Sequence, residues 1–380
     1  MVSQQLRSHL LWGCAVVLLS TALTIVLLRD CGPPAASGGR GFTVPGPESA
    51  APGFEDELAA QLSAPGVVQP HPVSTADFPQ RLAQAIGLSA FELATDADGA
   101  VASSEATMVD GGELSSLKIR FSRPAIDTQA WLWRHPEGAE RLVVLLHGHN
   151  TTARGALGLI GDDYMHGIGR DFFDWGSDVL AVELSSDGVV SGYINARLSL
   201  MGGQLYGLWV TAVCGAASKI AADKSYREVV LYGMSNGGFV ADMASVLCEG
   251  FDLVIVDDIL TDLPIHAAAS TNKLFQHQQY SLYFLTPFLA TLDYRDFLRQ
   301  AKGAKVYTRT RAYFAENLEE TILAAFTAGS LVDYSALSIV FKGAAEHAPE
   351  KALLRAIIEG KLATLDGLSL YPLAELKVAE

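Results

Sequence analysis

Residues 227–248 read REVVLYGMSNGGFVADMASVLC, and this stretch decides the fold class of the chain. The apolar run REVVLY predicts a buried strand, and the segment from Gly237 onward predicts a helix. Between them, Gly-Met-Ser-Asn-Gly matches G-x-S-x-G in the strand–turn–helix context that this motif requires. Gly233 and Gly237 carry no side chains that would collide across a sharp turn, so the turn can project the hydroxyl of Ser235 above the sheet. Ser235 is therefore the candidate nucleophile.

Strand and helix patterns alternate on both sides of this stretch. The first two strands are expected to be antiparallel and to precede the main sheet. The run RLVVLLHG and the similar strand after it, DVLAVEL, are near-continuous apolar runs, which indicates a sheet buried on both faces. The alternation predicts an α/β fold with a mostly parallel central sheet flanked by helices. The predicted strands are Leu117–Arg123, Thr128–His135, Arg141–Gly148, Asp178–Leu184, Arg227–Gly233, Phe251–Asp258, Ala304–Phe314 and Ala336–Gly343. The predicted helices are Asp163–Trp175, Leu198–Ala222, Gly237–Cys248, Leu318–Ala328 and Pro349–Glu359.

A serine hydroxyl is a weak nucleophile at neutral pH, so it needs a general base and an acid that orients the base. His347 follows the last predicted strand, and no other histidine lies beyond His277. His347 is therefore the candidate base.

The acid should lie between the nucleophile and the base in sequence. Glu316 follows the penultimate strand and leaves room for one helix and one strand before the histidine, so it is the favoured candidate. Asp258, at the end of the preceding strand, is the alternative. The neighbouring Asp257 and Asp262 leave a third interpretation open, in which this acidic cluster caps the segment that follows.

An oxyanion formed at this serine needs backbone N–H donors. One should come from Asn236, directly after the nucleophile, and the other from the loop His147–Asn150 after a central strand. His149 is the expected donor in that loop. His147 is expected to be a structural histidine that hydrogen-bonds the loop.

These features together resemble the α/β-hydrolase superfamily over roughly residues 117–360. The resemblance rests on the HGHN loop, the Gly-Met-Ser-Asn-Gly turn, His347 after the last strand, and the order serine, acid, histidine. It implies an eight-stranded, mostly parallel sheet and hydrolysis through an acyl-enzyme, with no metal and no organic cofactor. The sequence departs from the superfamily pattern at the acid, because FAEN stands where a Gly-x-x-Asp turn is expected after the Ala304 strand.

A long insertion, residues 264–301, follows the Phe251 strand and predicts a helical lid. It carries aromatic residues, among them Phe275, Tyr283 and Phe284, which would form an apolar wall against the substrate. The same aromatics would equally serve to pack the lid against the body of the domain.

The N-terminal region differs in composition from the rest. Leu10–Leu28 holds no charged residue and is about long enough to cross a bilayer as a helix. We expect residues 1–30 to be a signal-anchor that binds the membrane, with a cleaved signal peptide as the alternative. Residues 31–75 are a Pro/Gly/Ala-rich linker, and residues 76–380 form the catalytic domain. Either interpretation places that domain outside the cytoplasm.

The composition argues against nucleic-acid-binding and metal-binding proteins. The formal charge of −15 argues against a nucleic-acid partner, and the sequence contains no Cys/His cluster of the kind that binds a metal. In an exported domain Cys214 and Cys248 could form a disulfide, but we expect two buried thiols. The sequence therefore predicts a serine hydrolase acting on a carboxylic ester as a small-molecule or acyl-ester substrate. The alternatives are a peptidase or acyltransferase on the same site, or a catalytically silent binding protein.

Overall fold

The computed structural model describes residues 77–95, 100–161, 163–184, 188–258, 297, 304–310, 337–342, 347–361 and 369–372. All of them belong to the unit that spans residues 59–380. The predicted membrane segment and linker, Glu316, and the lid except for Phe297 lie outside the described residues.

One sheet of twelve strands runs through this part of the chain, in the order β1-β4-β5-β7-β6-β8-β9-β10-β11-β12, with β2 and β3 also pairing with β4. From β7 to β11 neighbouring strands are parallel, and the pairs β4–β5, β5–β7 and β11–β12 are antiparallel. The strands are β1 Glu92–Leu93, β2 Val101–Ser103, β3 Thr107–Val109, β4 Gly112–Arg123, β5 Ile126–Arg134, β6 Arg141–Leu146, β7 Ser177–Val182, β8 Glu228–Met234, β9 Leu253–Asp257, β10 Ala304–Thr310, β11 Leu337–Lys342 and β12 Ser369–Pro372.

The eight predicted strands are β4 to β11, and the mostly parallel sheet is confirmed. The count of eight is too low, because β1, β2 and β3 add to β4 at one edge and β12 adds to β11 at the other. These additions are two to four residues long, too short for a periodic pattern to identify.

Helices cover both faces of the sheet. They are α1 Phe78–Ala85, α2 Ala153–Ala156, α3 Ile168–Asp174, α4 Gly188–Ser199, α5 Leu205–Asp223, α6 Asn236–Leu247 and α7 Lys351–Ile358. Alternate residues of β6 point to opposite faces: Leu142 and Val144 pack in a core with α1, α5 and α6, whereas Val143 and Leu145 pack in a second core with α2, α3 and α7. This double burial explains why the central strands are apolar throughout.

Helix α5 is the one helix among the described residues that is long and apolar enough to cross a membrane. Most of it is buried within the domain, so it serves as a core helix. Its Cys214 forms a disulfide with Cys248, which follows α6, with a Cα–Cα distance of 5.8 Å. The expectation of two thiols is therefore wrong; sequence spacing held no information on how closely α5 and α6 approach.

A buried ion pair fixes α6 against β10. Lys305 is 1% exposed, and its Nζ lies 2.5 Å from Asp242 Oδ1 and 2.8 Å from Ser245 Oγ. The Tyr307 hydroxyl donates to the same carboxylate at 2.9 Å. Because a buried charge without a partner is strongly destabilising, these contacts specify how α6, the helix that follows the candidate nucleophile, packs on the sheet.

Candidate active site

Ser235 lies in a strained turn between β8 and α6. Its φ is 54° and its ψ is −122°, a conformation that costs a non-glycine residue about 1–3 kcal/mol. The surrounding structure enforces it: the Ser235 N–H donates to the Asp257 carbonyl at 2.8 Å. A Cβ on Gly233 would overlap the carbonyl of Gly237, and a Cβ on Gly237 would overlap the carbonyl of Leu146. The predicted geometry of the Gly-x-Ser-x-Gly turn is therefore present in the structure.

Asp258 and His347 meet although 89 residues separate them in sequence. Asp258 directly follows β9, and its buried Oδ2 lies 3.1 Å from Nδ1 of His347. The backbone N–H of Asp258 donates to the Thr308 carbonyl at 2.9 Å, and its φ of 54° turns the chain at this point. The structure thus brings the alternative acid to the candidate base, whereas the favoured candidate, Glu316, lies outside the described residues.

The residue before Asp258, Asp257 of β9, links β9 to β8 and β10 through its side chain. Its buried carboxylate accepts a hydrogen bond from the Tyr232 hydroxyl of β8 at 2.8 Å and another from the Thr308 hydroxyl of β10. Burial, and after it the negative charge of Asp257, raises the pKa of Tyr232 well above its usual value. The phenol therefore stays protonated and keeps donating. The strand ends that carry Ser235 and Asp258 are held at a fixed spacing by this carboxylate.

His147 supports the loop that follows β6. It is fully buried, and its Nδ1 lies 2.8 Å from the Gly148 carbonyl. Its Nε2 lies 2.9 Å from the Leu184 amide nitrogen and 3.1 Å from Glu183 Oε1. The Leu184 N–H donates to Nε2 of His147, and the Ala153 amide donates to Glu183 Oε2 at 3.1 Å, so the two ends of the loop are held by neighbouring residues after β7. These contacts agree with the predicted structural role of His147.

Gly148 brings this loop against Ser235. A Cβ at this position would lie 2.9 Å from the Met234 carbonyl oxygen and 3.0 Å from Ser235 Cβ, and would overlap the hydroxyl of Tyr164. The loop residue after it is His149, and the residue after Ser235 is Asn236, whose side chain accepts from the Tyr206 hydroxyl at 3.1 Å. The two predicted oxyanion donors thus belong to segments that are in direct contact.

Tyr164 is a site residue that sequence reasoning missed. Its ring stacks on the imidazole of His347, with centroids 5.4 Å apart and planes 19° apart. A tight turn holds it in place, because Asp163 Oδ1 accepts from the Met165 amide at 2.8 Å and Asp163 Oδ2 accepts from the Thr151 hydroxyl. The sequence around Tyr164 carries no motif, and only the folded chain brings it to the histidine.

The predicted lid contributes one described residue. Phe297 is buried and packs edge-on against Phe78 of α1, with ring centroids 5.1 Å apart. The lid residues expected to contact substrate, Phe275, Tyr283 and Phe284, lie outside the described residues. Within the described ranges there is no group of three or more His, Cys, Asp or Glu residues that could hold a metal ion.

Solved structures of esterases are similar to this chain. Acetyl xylan esterase 1 from Thermoanaerobacterium sp. JW/SL YS485 superposes with a TM-score of 0.54 and 14% identity, covering 80% of this chain and 98% of that one. The acetyl xylan esterase from Paenibacillus sp. R4 gives 0.52 and 13%, with the same coverage. The methylesterase BT1017 gives 0.51 and 11%, covering 84% of this chain and 69% of that one.

The chain has the α/β-hydrolase fold. No protein-family model matches it, and no curated protein is similar enough in sequence to count as a relative. Ser235 lies between β8 and α6, which is the strand–turn–helix context that the G-x-S-x-G motif requires. The loop His147–Asn150 follows the central strand β6.

Proposed function

We propose that this protein is a serine hydrolase that cleaves a carboxylic ester through an acyl-enzyme. The observation that carries the proposal is the contact of the buried Asp258 carboxylate with His347, on a fold that holds Ser235 in a strained turn beside the loop at Gly148. A strained turn and a buried acid–base pair cost stability and are typical of sites that perform chemistry. The esterase neighbours support the choice of an ester as the substrate.

The roles of the residues follow from nucleophilic catalysis. Ser235 Oγ attacks the acyl carbon while His347 accepts its proton through Nε2, and Asp258 holds the Nδ1–H and stabilises the imidazolium. The N–H groups of His149 and Asn236 donate to the negatively charged oxygen of the tetrahedral intermediate. Collapse of that intermediate expels the alcohol, which takes the proton from His347. Water then attacks the acyl-enzyme by the same steps and releases the carboxylic acid.

We assign the acid role to Asp258 rather than to Glu316. Asp258 is buried and directly contacts His347, and the Asp257 carboxylate beside it links β8, β9 and β10. A fixed carboxylate keeps the imidazole in the tautomer that can accept the serine proton.

A fluorophosphonate probe tests the nucleophile directly, because it reacts covalently with an activated serine. We expect labelling of the full chain that is lost in Ser235→Ala and retained in Ser122→Ala, since Ser122 is an exposed serine near the end of β4. The same proteins should hydrolyse p-nitrophenyl esters, beginning with acetate because two neighbours are acetyl xylan esterases. Adding a competing alcohol separates hydrolysis from acyl transfer by product analysis. Labelling and turnover that survive Ser235→Ala would contradict the proposal.

We further propose that the catalytic domain functions in an oxidising compartment outside the cytoplasm. The Cys214–Cys248 disulfide supports this, because disulfides are rare in reducing cytosol, and it agrees with the export signal expected in residues 1–30. Thiol alkylation of protein in intact cells, with and without prior reduction, tests it. Alkylation of Cys214 and Cys248 without reduction would contradict an oxidising location.

A further inference from the structure

Tyr164 touches two parts of the site at once. Its ring covers one face of the His347 imidazole, and its hydroxyl lies against Gly148 of the oxyanion loop. A Cβ on Gly148 would overlap the Tyr164 hydroxyl oxygen and would lie 3.0 Å from Ser235 Cβ. The Tyr164 hydroxyl and Ser235 therefore both lie next to Gly148. One side chain therefore runs from the base to the oxyanion loop, directly beside the nucleophile.

Hydrogen bonds of Asp163 fix the turn that carries Tyr164. Asp163 fixes the turn by accepting from the Met165 amide and from the Thr151 hydroxyl, and Thr151 belongs to the segment that continues the oxyanion loop. His166, with a φ of 49°, and Gly167, with a φ of 61°, close the turn on the other side and lead into α3. The turn that carries Tyr164 is thus hydrogen-bonded to the segment that continues the loop its hydroxyl contacts.

We propose that Tyr164 is a positioning residue that sets the spacing between the His347 imidazole and the oxyanion loop around Ser235. The proposal rests on the proposed function. The ring acts through His347 by restricting rotation of the imidazole about its bond to the chain, and the hydroxyl acts by supporting Gly148. Such support matters because misplacement of a reacting group by about 1 Å lowers the rate about 10²-fold.

Two substitutions separate the ring from the hydroxyl. Tyr164→Leu removes the stacking surface, and we expect kcat to fall about 10²-fold with little change in KM, since substrate binding does not depend on the orientation of the base. Tyr164→Phe keeps the ring and loses only the contact with Gly148, so its kcat should lie much closer to that of the wild type. Tyr226→Phe is the matched control, because this tyrosine donates to Asp178 rather than to any residue of the site. Thermal unfolding of each variant monitors the fold.

Repeating the two Tyr164 substitutions in a His347→Ala variant shows whether Tyr164 acts through the histidine. In His347→Ala the imidazole is absent, so the difference in residual kcat between Tyr164→Leu and Tyr164→Phe should disappear. A merely structural effect of the leucine would persist in that background and would overturn the proposal. Wild-type kcat in Tyr164→Leu would also overturn it, as would equal losses in the two single variants, which would assign the effect to the hydroxyl alone. If the wild-type protein shows no Ser235-dependent turnover, the proposed function fails as well; if it does, only the role of Tyr164 is in question.

Discussion

Replacing Asp258 by asparagine isolates the charge of the acid without changing the shape of the site. Asparagine is nearly isosteric with aspartate and tolerates the left-handed φ of 54° found here, so the turn after β9 should persist. The Asp258 backbone bond to Thr308 is unaffected by the change. The substitution therefore tests catalysis and not folding.

The expected loss follows from the contact at 3.1 Å between Asp258 Oδ2 and His347 Nδ1. An asparagine amide can donate to Nδ1, which places the imidazole proton on Nε2 and removes the lone pair that must accept the serine proton. This wrong tautomer lowers kcat by about 10⁴-fold, equivalent to about 5 kcal/mol of transition-state stabilisation.

Steady-state hydrolysis of p-nitrophenyl acetate and the rate of fluorophosphonate labelling measure the effect. Asp252→Asn is the matched control, since this exposed aspartate precedes β9 and its carboxylate accepts from the Val229 amide at the opposite end of the strands. Glu316→Gln should remain close to wild type. The reasoning would be refuted if Asp258→Asn kept most of its activity while Glu316→Gln lost it, because Glu316 would then orient His347 in solution.

Three further changes have expected outcomes of different kinds. Gly148→Ala inserts a methyl group where the Tyr164 hydroxyl and Ser235 lie, so kcat/KM should fall about 10²–10³-fold, comparable to the loss of one oxyanion donor; unchanged ester hydrolysis would mean that the loop is not packed as described. Lys305→Met leaves Asp242 buried without its cation, and urea unfolding should show a loss of about 3–5 kcal/mol, whereas about 0.5 kcal/mol, typical of a surface change, would argue against the buried pair. Reduction of the disulfide, which joins residues 34 apart, should lower the free energy of unfolding by about 3–4 kcal/mol, and an unchanged denaturation midpoint would count against the pairing.

Much of this architecture was predictable because it is encoded locally. The central strands β6, β8 and β9 are apolar runs, and β4 alternates between apolar and polar residues. The glycines that the Gly-Met-Ser-Asn-Gly turn requires lie within the same five residues. Position in the chain was enough to nominate His347, since only one histidine follows the final predicted strand.

The remaining features depend on distances between segments remote in sequence. Spacing favoured Glu316 as the acid because it allows a complete helix and strand before His347, but strand ends at one edge of a sheet lie close together whatever their separation in sequence. The contact of Asp258 with His347 arises in this way. Tyr164 could not be predicted from the sequence for the same reason. It contacts Gly148 in the loop after β6 and His347, which is more than 180 residues later in the sequence.

The position of His347, directly before α7, has a consequence for biosynthesis. Ser235, the loop His147–Asn150 and Asp258 are all translated by residue 258, whereas the proposed base, His347, follows 89 residues after Asp258. At about 5–20 residues per second, His347 would follow Asp258 out of the ribosome by about 4–18 s. Helix α7 must then pack its buried leucines into the second core before the imidazole is held beside Tyr164 and Asp258. The proposed activity would therefore require that His347 and α7 be synthesised and packed after the other residues of the site.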